Sequence, residues 1–174
     1  DWEDTKNMTG GTATLKPEYY SWYTTNPDAE TFTLSTADEL RAFAKLVNGD
    51  QEALTFTTAT GPVSFEGKTV QIADAVTEEL DLSDAEWTPI GIDYNATFKG
   101  SFDGNGKTVS GVNINITSDM NISMNIGFFA YLDGGGSVKN LRIKGNVTAT
   151  TTSNVGGIVG GFLNGTIEHC AFHG

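Results

Sequence analysis

The most reactive side chains of this sequence are few and lie close together. Its two histidines, His169 and His173, flank its single cysteine, Cys170. Histidines four residues apart can share a metal ion on a helix, but on a strand their side chains are separated along the backbone. We therefore expect these residues to serve the architecture, with Cys170 acting as a small buried hydrophobe.

A second stretch, residues 74–93, is rich in carboxylates. They are Asp74, Glu78, Glu79, Asp81, Asp84, Glu86 and Asp93. Acidic clusters can hold a calcium ion on a uronate substrate, as in calcium-dependent polysaccharide lyases. Such an enzyme also needs a cation for the charge that develops, and between Lys68 and Lys99 the stretch offers none. A carbohydrate-active lyase or glycosidase is therefore the alternative function.

Two further motifs have both a chemical and a structural interpretation. Asp103-Gly-Asn-Gly106 begins like a calcium-binding loop but lacks the glutamate that completes one, so we expect a glycine-rich turn. The Tyr19-Tyr-Ser-Trp-Tyr23 cluster could stack on sugar rings or receive a protein partner, although packing on the core is the expected role. We predict no catalytic residue, no metal site and no cofactor, and the sequence does not locate a binding site.

Charge is distributed very unevenly along the chain. The net charge of the 174 residues is -12. Residues 1–97 hold 18 acidic and 5 basic groups, a balance of -13, whereas residues 98–174 hold 4 acidic and 5 basic groups, a balance of +1. Binding to a phosphate backbone requires clustered Lys and Arg. The sequence therefore predicts no nucleic-acid partner, and no apolar run is long enough to cross a membrane.

One segment carries complete helix signals. Thr36 and Glu39 form a capping box, and Asn48-Gly49 supplies a left-handed stop, which predicts a helix over residues 35–47. After Gly49 the pattern changes to short β-prone runs separated by turn residues. The predicted strands are Leu54–Thr58, Thr69–Ile72, Glu79–Leu82, Phe98–Phe102, Thr108–Ile116, Val138–Ile143 and Thr166–Phe172.

Internal repetition narrows the choice of architecture. Val109–Ile114, Val138–Ile143 and Ile167–Phe172 superpose without gaps, at a constant spacing that indicates repeats of about 29 residues. Each segment has apolar residues at its first, fourth and sixth positions, with Gly111, Asn140 and His169 third. These residue types tolerate positive φ. The pattern predicts a left-handed corner on successive strand pairs, with Val112, Leu141 and Cys170 in one inward row.

Several motifs resemble the GLUG-motif repeats of bacterial surface and adhesin-like proteins. They are Trp87-Thr-Pro-Ile-Gly91, Phe98–Gly111, Gly157-Ile-Val-Gly160 and Gly165–Cys170, preceded by the helix from Leu34 to Gly49. The resemblance covers about residues 34–174 and implies a β-helical region of a large exported protein. Ala130 departs from it by replacing an expected glycine. Some relatives sit beside IgA-specific metallopeptidases, but this sequence lacks their His-Glu-x-x-His.

These observations lead to one set of expectations. The fold is predicted to be all-β, a right-handed parallel β-helix (solenoid) over residues 51–174 with a helix-containing cap over residues 1–50, cut from a longer array. The predicted function is a non-catalytic structural or adhesion module, extracellular and secreted or on a bacterial cell surface. Expected partners are a host-surface protein or glycan and adjoining repeats of the same longer chain.

Overall fold

The computed structural model of the chain describes residues 15–116, 125–149, 154–162 and 164–174. Residues 1–14 of the predicted cap lie outside this description. The helical elements are a 3-10 helix at Pro17–Tyr20, α1 at Ser21–Thr24, α2 at Ala37–Asn48 and α3 at Gln51–Phe56. The strands are β1 (Thr31–Leu34), β2 (Thr69–Ile72), β3 (Leu80–Asp81), β4 (Ser101–Asp103), β5 (Thr108–Ile116), β6 (Asn125–Ile126), β7 (Phe129–Leu132), β8 (Gly136–Lys139), β9 (Arg142–Ala149), β10 (Asn154–Val155), β11 (Val159–Phe162), β12 (Gly165–Glu168) and β13 (Ala171–His173).

Helix α2 begins and ends at the residues that its capping motifs predict. The Thr36 hydroxyl accepts the Glu39 amide at 3.1 Å, and the Glu39 carboxylate accepts the Ser35 amide at 2.6 Å. At the other end Gly49 adopts φ 67° and ends the helix in the left-handed region. The predicted helix over residues 35–47 is confirmed, with a shift of one or two residues at its ends.

All strand pairing in the described ranges is parallel. The largest sheet has the order β1-β2-β4-β8-β12 and the second has the order β13-β9-β5-β3. Two smaller sheets pair β10 with β6 and β11 with β7. Consecutive strands of one sheet are far apart in sequence, so the chain visits each sheet in turn before it returns.

The predicted all-β class is wrong. Helices hold 18% and strands 37% of the described residues, a mixture of helices and parallel strands that fits an α/β class better. Helix α2 buries seven of its residues, and Phe43 on it packs against Phe65, Phe98 and Phe102 at centroid distances of 5.4–5.7 Å. The described strands form separate sheets and do not indicate a closed solenoid. The helices are therefore part of the core itself.

The predicted positive φ is confirmed at Gly111, Asn140 and His169, but a corner between two strands is found only at Asn140 and His169. The predicted alignment of the three segments is wrong. Gly111, Asn140 and His169 have φ values of 68°, 54° and 51°. Ile167 pairs with Val138 as the repeat predicts, whereas Val138 pairs with Phe102 and Val109 pairs with Ile143. The corner next to Asn140 is therefore Asn105, whose φ is 55°, and Gly111 produces a bulge inside β5.

Another local prediction fails at residues 51–56. The β-prone run Leu54–Thr58 overlaps α3, where the Asp50 carboxylate accepts the Glu52 amide at 2.9 Å and caps the helix. Ala53 is fully buried on its inner face. The N-cap at Asp50 and the packing of Ala53 in the core therefore favour a helix here over the strand that the β-prone residues predict. Within the described residues, no helix is sufficiently long and apolar to span a membrane.

Candidate functional site

An open groove lies between α1 and the loop at residues 58–68. Its volume is about 510 Å³, within the range of small-ligand sites. We call it the Tyr23 groove. Its floor is aromatic and its rim is polar, and the lining residues that matter here are Tyr23, Phe32, Phe65, Thr58, Thr60, Ser64, Glu66 and Lys68.

The floor of the Tyr23 groove is a packed aromatic group. Phe32 on β1 lies 5.6 Å from Tyr23 and 5.4 Å from Phe65, measured between ring centroids. Trp22 stacks on Phe65 at 6.1 Å. Phe65 itself adopts φ 55°, a left-handed conformation that is costly for an aromatic residue. The surrounding rings thus hold the Phe65 turn, and with it the loop, in one position.

The hydroxyl of Tyr23 keeps its proton. Burial raises the pKa of this phenol above its ordinary value of 10.0, and the nearby Asp28 carboxylate raises it further. The group therefore remains an uncharged donor and acceptor at physiological pH.

The rim carries one charge of each sign. Glu66 is exposed, and its amide donates to the Ser64 hydroxyl at 3.4 Å. The Lys68 ammonium donates to the Asp28 carbonyl at 2.8 Å, which ties the rim to the loop after α1. The groove is therefore close to electrically neutral at its edge although the whole chain is strongly acidic.

Most of the tyrosine cluster packs inward, as expected. Tyr20 is fully buried, and its hydroxyl donates to the Glu52 carboxylate at 3.3 Å. Burial raises the pKa of Tyr20 strongly, and the Glu52 charge adds to the effect. Trp22 packs on Phe32 and Phe43. Of these aromatic side chains, Tyr23 is the one that lines the groove.

The carboxylates of residues 74–93 are dispersed among different partners. Asp84 binds Arg41, Glu79 binds Lys144, and Asp81 accepts the Ser83 amide at 2.9 Å. Asp93 accepts the Asn95 amide at 2.8 Å, and Asp74 accepts the side chain of Asn105 at 2.9 Å. In the described ranges no group of three or more His, Cys, Asp or Glu could hold a metal ion. The enzyme alternative stays a prediction.

Asp103-Gly-Asn-Gly106 forms the expected turn. The Asp103 carboxylate accepts the Asn105 amide at 2.9 Å and the Asn140 side chain at 3.1 Å, and it lies 3.3 Å from the Lys139 ammonium. The contacts with Asn140 and Lys139 connect the end of β4 to the end of β8, its neighbour in the largest sheet. The motif therefore acts as a structural link between β4 and β8.

The histidine and cysteine residues lie in β13 and in the turn that joins β12 to it. His169 occupies the left-handed corner between β12 and β13, and His173 is exposed in β13. Cys170 is half-buried against the core, and burial raises the pKa of its thiol. A raised pKa keeps the thiol protonated and weakly nucleophilic. Cys170 is only half-buried, not buried as predicted, and the architectural role of Cys170 and His169 stays a prediction.

Strands β10–β13 form an end layer with exposed apolar side chains. Val155, Phe162, Ile167 and Phe172 are 51%, 49%, 37% and 36% exposed. Their register partners Ile126, Leu132, Val138 and Ile143 are all at most 1% exposed. The inward rows of the core thus continue into this layer, where nothing in the described chain covers them.

Two important polar residues had no distinct signal in the sequence. Buried Arg41 on α2 donates to the carbonyls of Leu82, Ala85 and Glu86 and to Asp84. The Asn48 side chain, which the sequence marked only as part of a helix stop, donates to the Pro89 carbonyl and accepts two backbone amides. The groups that both residues bind are 41 residues or more away along the chain, so no local pattern reveals them.

Comparison with family models, curated proteins and solved structures found no match to this chain.

Proposed function

We propose that the chain is a non-catalytic structural and adhesion module of an extracellular bacterial surface protein, and that it binds a neutral oligosaccharide in the Tyr23 groove. The observation that carries the ligand proposal is the composition of this groove. An aromatic floor, a row of hydroxyls and one charge of each sign meet around an open volume of about 510 Å³.

The chemistry of the groove matches that of a sugar. Oligosaccharides combine flat apolar C–H faces with edges of hydroxyl groups. The accessible part of Tyr23, 8% of the residue, supplies aromatic surface for the first and a protonated hydroxyl for the second. Thr58, Thr60 and Ser64 add further hydroxyls along the rim. The groove therefore offers both kinds of contact within a single site.

Charge favours a neutral ligand over a uronate or a phosphorylated one. Glu66 and Lys68 balance each other at the rim. Beyond the rim, the net charge of -12 creates a field that repels anions as they approach. A neutral oligosaccharide is not repelled by this field and can use the full polar rim.

The structural part of the proposal is supported by the strand register. The last two strand layers pair β12 with β8, β13 with β9 and β11 with β7, all in parallel and without a bulge. Regular pairing of this kind gives a rigid scaffold on which a binding site can be held. The resemblance to GLUG-motif repeats points to the proposed cell-surface setting.

A glycan array that carries neutral and acidic oligosaccharides tests the proposal directly. We expect binding to neutral members, followed by saturable heat in calorimetric titration with the best of them. Thr60→Trp, which fills the groove from its exposed rim, should weaken this affinity at least about tenfold. Thr77→Trp adds the same side chain at an exposed position outside the groove and should leave the affinity unchanged.

Four results would overturn the proposal. The first is an array with no neutral glycan bound at millimolar concentration, and the second is a clear preference for acidic glycans. The third is equal weakening by Thr60→Trp and Thr77→Trp, which would place the binding outside the groove. Binding to a host-surface protein that persists after deglycosylation would also contradict a glycan ligand.

A further inference from the structure

Tyr94 and Tyr131 lie ring against ring on a surface outside the Tyr23 groove. Their ring centroids are 4.7 Å apart, with the planes inclined by 44°. The two hydroxyls share a hydrogen bond. Contact through both the rings and the hydroxyls brings the carbons ortho to the two hydroxyls close together. These are carbons on which the unpaired electron of a phenoxyl radical is concentrated, so the pair is positioned for coupling.

The two tyrosines differ in their access to solvent. Tyr94 is 66% exposed, the highest value among the large hydrophobic side chains that the structure describes, whereas Tyr131 is 4% exposed. An oxidant of protein size therefore reaches the Tyr94 ring directly and reaches Tyr131 only through its partner. Burial and the hydrogen bond with Tyr94 raise the pKa of Tyr131 to about 12, so this phenol keeps its proton at physiological pH. The first oxidation thus falls on Tyr94.

The backbone holds both rings of the pair in position. The Asp93 carboxylate accepts the Asn95 amide at 2.8 Å and so closes the turn that carries Tyr94. The Phe98 amide donates to the Tyr131 carbonyl at 3.3 Å, which joins the end of this loop to β7. Two segments that are distant in sequence are therefore fixed next to each other before any reaction takes place.

Tyr20 and Tyr23 have a different kind of ring neighbour. Tyr20 lies 5.9 Å from Phe56, and Tyr23 lies 5.6 Å from Phe32, measured between ring centroids. Both tyrosines are also buried. A phenylalanine ring has no hydroxyl and forms no phenoxyl radical, so these two contacts do not lead to coupling.

We propose that Tyr94 and Tyr131 are a site of oxidative cross-linking, at which a haem peroxidase with hydrogen peroxide joins the two rings as dityrosine. Each phenol loses one electron and one proton, and the two phenoxyl radicals combine through a new carbon–carbon bond between ortho positions. The hydrogen on each of these carbons then moves to the hydroxyl oxygen, which restores both aromatic rings. The two electrons and two protons reduce one hydrogen peroxide to two water molecules.

The cross-link fastens the loop that carries Tyr94 to β7. The sequence has a single cysteine, so a disulfide within these 174 residues cannot supply such a link. Joining residues 94 and 131 closes the chain between them and restricts the unfolded state, as a disulfide does. The proposed extracellular setting is an oxidising one. The chemistry does not depend on glycan binding in the Tyr23 groove.

Peptide mapping after peroxidase treatment tests the site. At a chain concentration of about 5 µM, coupling within one molecule outcompetes coupling between molecules, because the two rings are already in contact. Lys99 and Lys107 separate the tyrosines, so trypsin releases them in peptides 69–99 and 108–139. We expect these two peptides to be joined, with their summed mass reduced by two hydrogen atoms. Dityrosine fluorescence should appear while the chain stays monomeric on a denaturing gel.

Substitutions identify the two partners. Tyr94→Phe removes the exposed phenol and should lower the yield of dityrosine at least about tenfold. Tyr131→Phe keeps the exposed phenol but removes its neighbour, so the remaining dityrosine should join different chains. Tyr19→Phe makes the same change at a half-buried tyrosine outside the pair and should leave the yield unchanged. The thermal transition of each untreated variant checks that it is folded.

Thermal unfolding measures what the cross-link does. The treated parent chain should unfold at a temperature at least about 4 °C higher than the untreated chain. Treated Tyr94→Phe should show no such shift, because it lacks the cross-link. This comparison separates the effect of dityrosine from that of other oxidation by peroxide.

Four outcomes would overturn the inference. The first is the absence of dityrosine after treatment of the folded chain. The second is dityrosine that joins other peptides, or only different chains. The third is an unchanged yield in Tyr94→Phe. The fourth is a cross-linked chain whose unfolding temperature equals that of the untreated chain, which would show that the link fastens nothing.

Discussion

The guanidinium of Arg41 lies 2.8 Å from the carboxylate of Asp84. It is 5% exposed, and the same group donates to the carbonyls of Leu82, Ala85 and Glu86. A single side chain of α2 thus closes the turn that follows β3. Asp84 supplies the opposite charge that a buried guanidinium requires.

Arg41→Ala is therefore expected to be strongly destabilising. It deprives three carbonyls and one carboxylate of this donor in a region that water reaches poorly. We expect a loss of about 3 kcal/mol in the free energy of unfolding, measured by urea denaturation. Asp84→Asn keeps a hydrogen-bond acceptor but leaves the buried guanidinium without its opposite charge, so it should cost about 2 kcal/mol, less than Arg41→Ala because the bonds to the three carbonyls remain. Equal losses in the two variants would contradict this account.

Asn48 fixes the Trp87–Gly91 motif through three bonds of one side chain. Its Nδ2 donates to the Pro89 carbonyl at 2.9 Å, and its Oδ1 accepts the amides of Gly91 and Ile92 at 2.8 and 3.1 Å. Asn48→Ala should lower the free energy of unfolding by about 2 kcal/mol, because these groups lose their partners together. Asn113→Ala, at an exposed strand position, serves as the control and should change it by less than about 0.5 kcal/mol.

The features that the sequence predicted correctly are those fixed by adjacent residues. Thr36 and Glu39 start α2 and Gly49 ends it, because capping and a left-handed stop involve groups only a few residues apart. Asn140 and His169 turn the chain for a similarly local reason, since few residue types adopt positive φ. Signals of this kind can be read without knowledge of the fold.

The features that the sequence did not predict depend on distant parts of the chain. Val109 and Val138 carry the same apolar pattern, yet they lie in different sheets, where Val109 pairs with Ile143 and Val138 pairs with Phe102. The pairing of Tyr23 with Phe65 in the groove joins segments that share no pattern. The all-β expectation failed for the same reason, since α2 joins the core through contacts such as Phe43 on Phe98.

Asp103 makes the stability depend on pH in a definite direction. Partial burial raises its pKa, but the bonds from the Asn105 amide, Asn140 and Lys139 outweigh this effect and hold the pKa below its ordinary value of 3.8. A carboxyl with a depressed folded-state pKa stabilises the fold above its unfolded-state pKa, and this contribution is lost as pH falls through the folded value. The loss is therefore expected below about pH 4.

Asp103→Asn tests this contribution. The variant should be less stable than the parent chain at pH 7, and its stability should fall less between pH 5 and pH 3 (about the range in which the carboxyl titrates). Urea midpoints at each pH provide the measurement. Lys139→Met removes one of the three bonds and should give an intermediate slope. Some acid sensitivity should remain in all variants, because Lys144 lowers the pKa of Glu79 and the Ser83 amide lowers that of Asp81.

Substitutions at Gly111 and Gly106 separate the strain of a left-handed backbone from the steric effect of an added Cβ. Both adopt positive φ, 68° and 71°. A Cβ at Gly111 would lie 2.5 Å from the Ser83 amide nitrogen and 2.7 Å from the Ser83 Cβ, whereas a Cβ at Gly106 would have no atom within 4 Å. Alanine at either position has to adopt a left-handed conformation. Only at Gly111 must it also displace Ser83, in the turn that follows β3.

We therefore expect Gly106→Ala to cost about 1 kcal/mol, the conformational strain alone. Gly111→Ala should cost about 3 kcal/mol, because the overpacking against Ser83 adds to the same strain. Urea unfolding of the two variants measures the difference, and an unchanged denaturant slope confirms that the native and unfolded states remain comparable. Equal destabilisation of the two variants would show that Gly111 in β5 does not lie in close contact with Ser83.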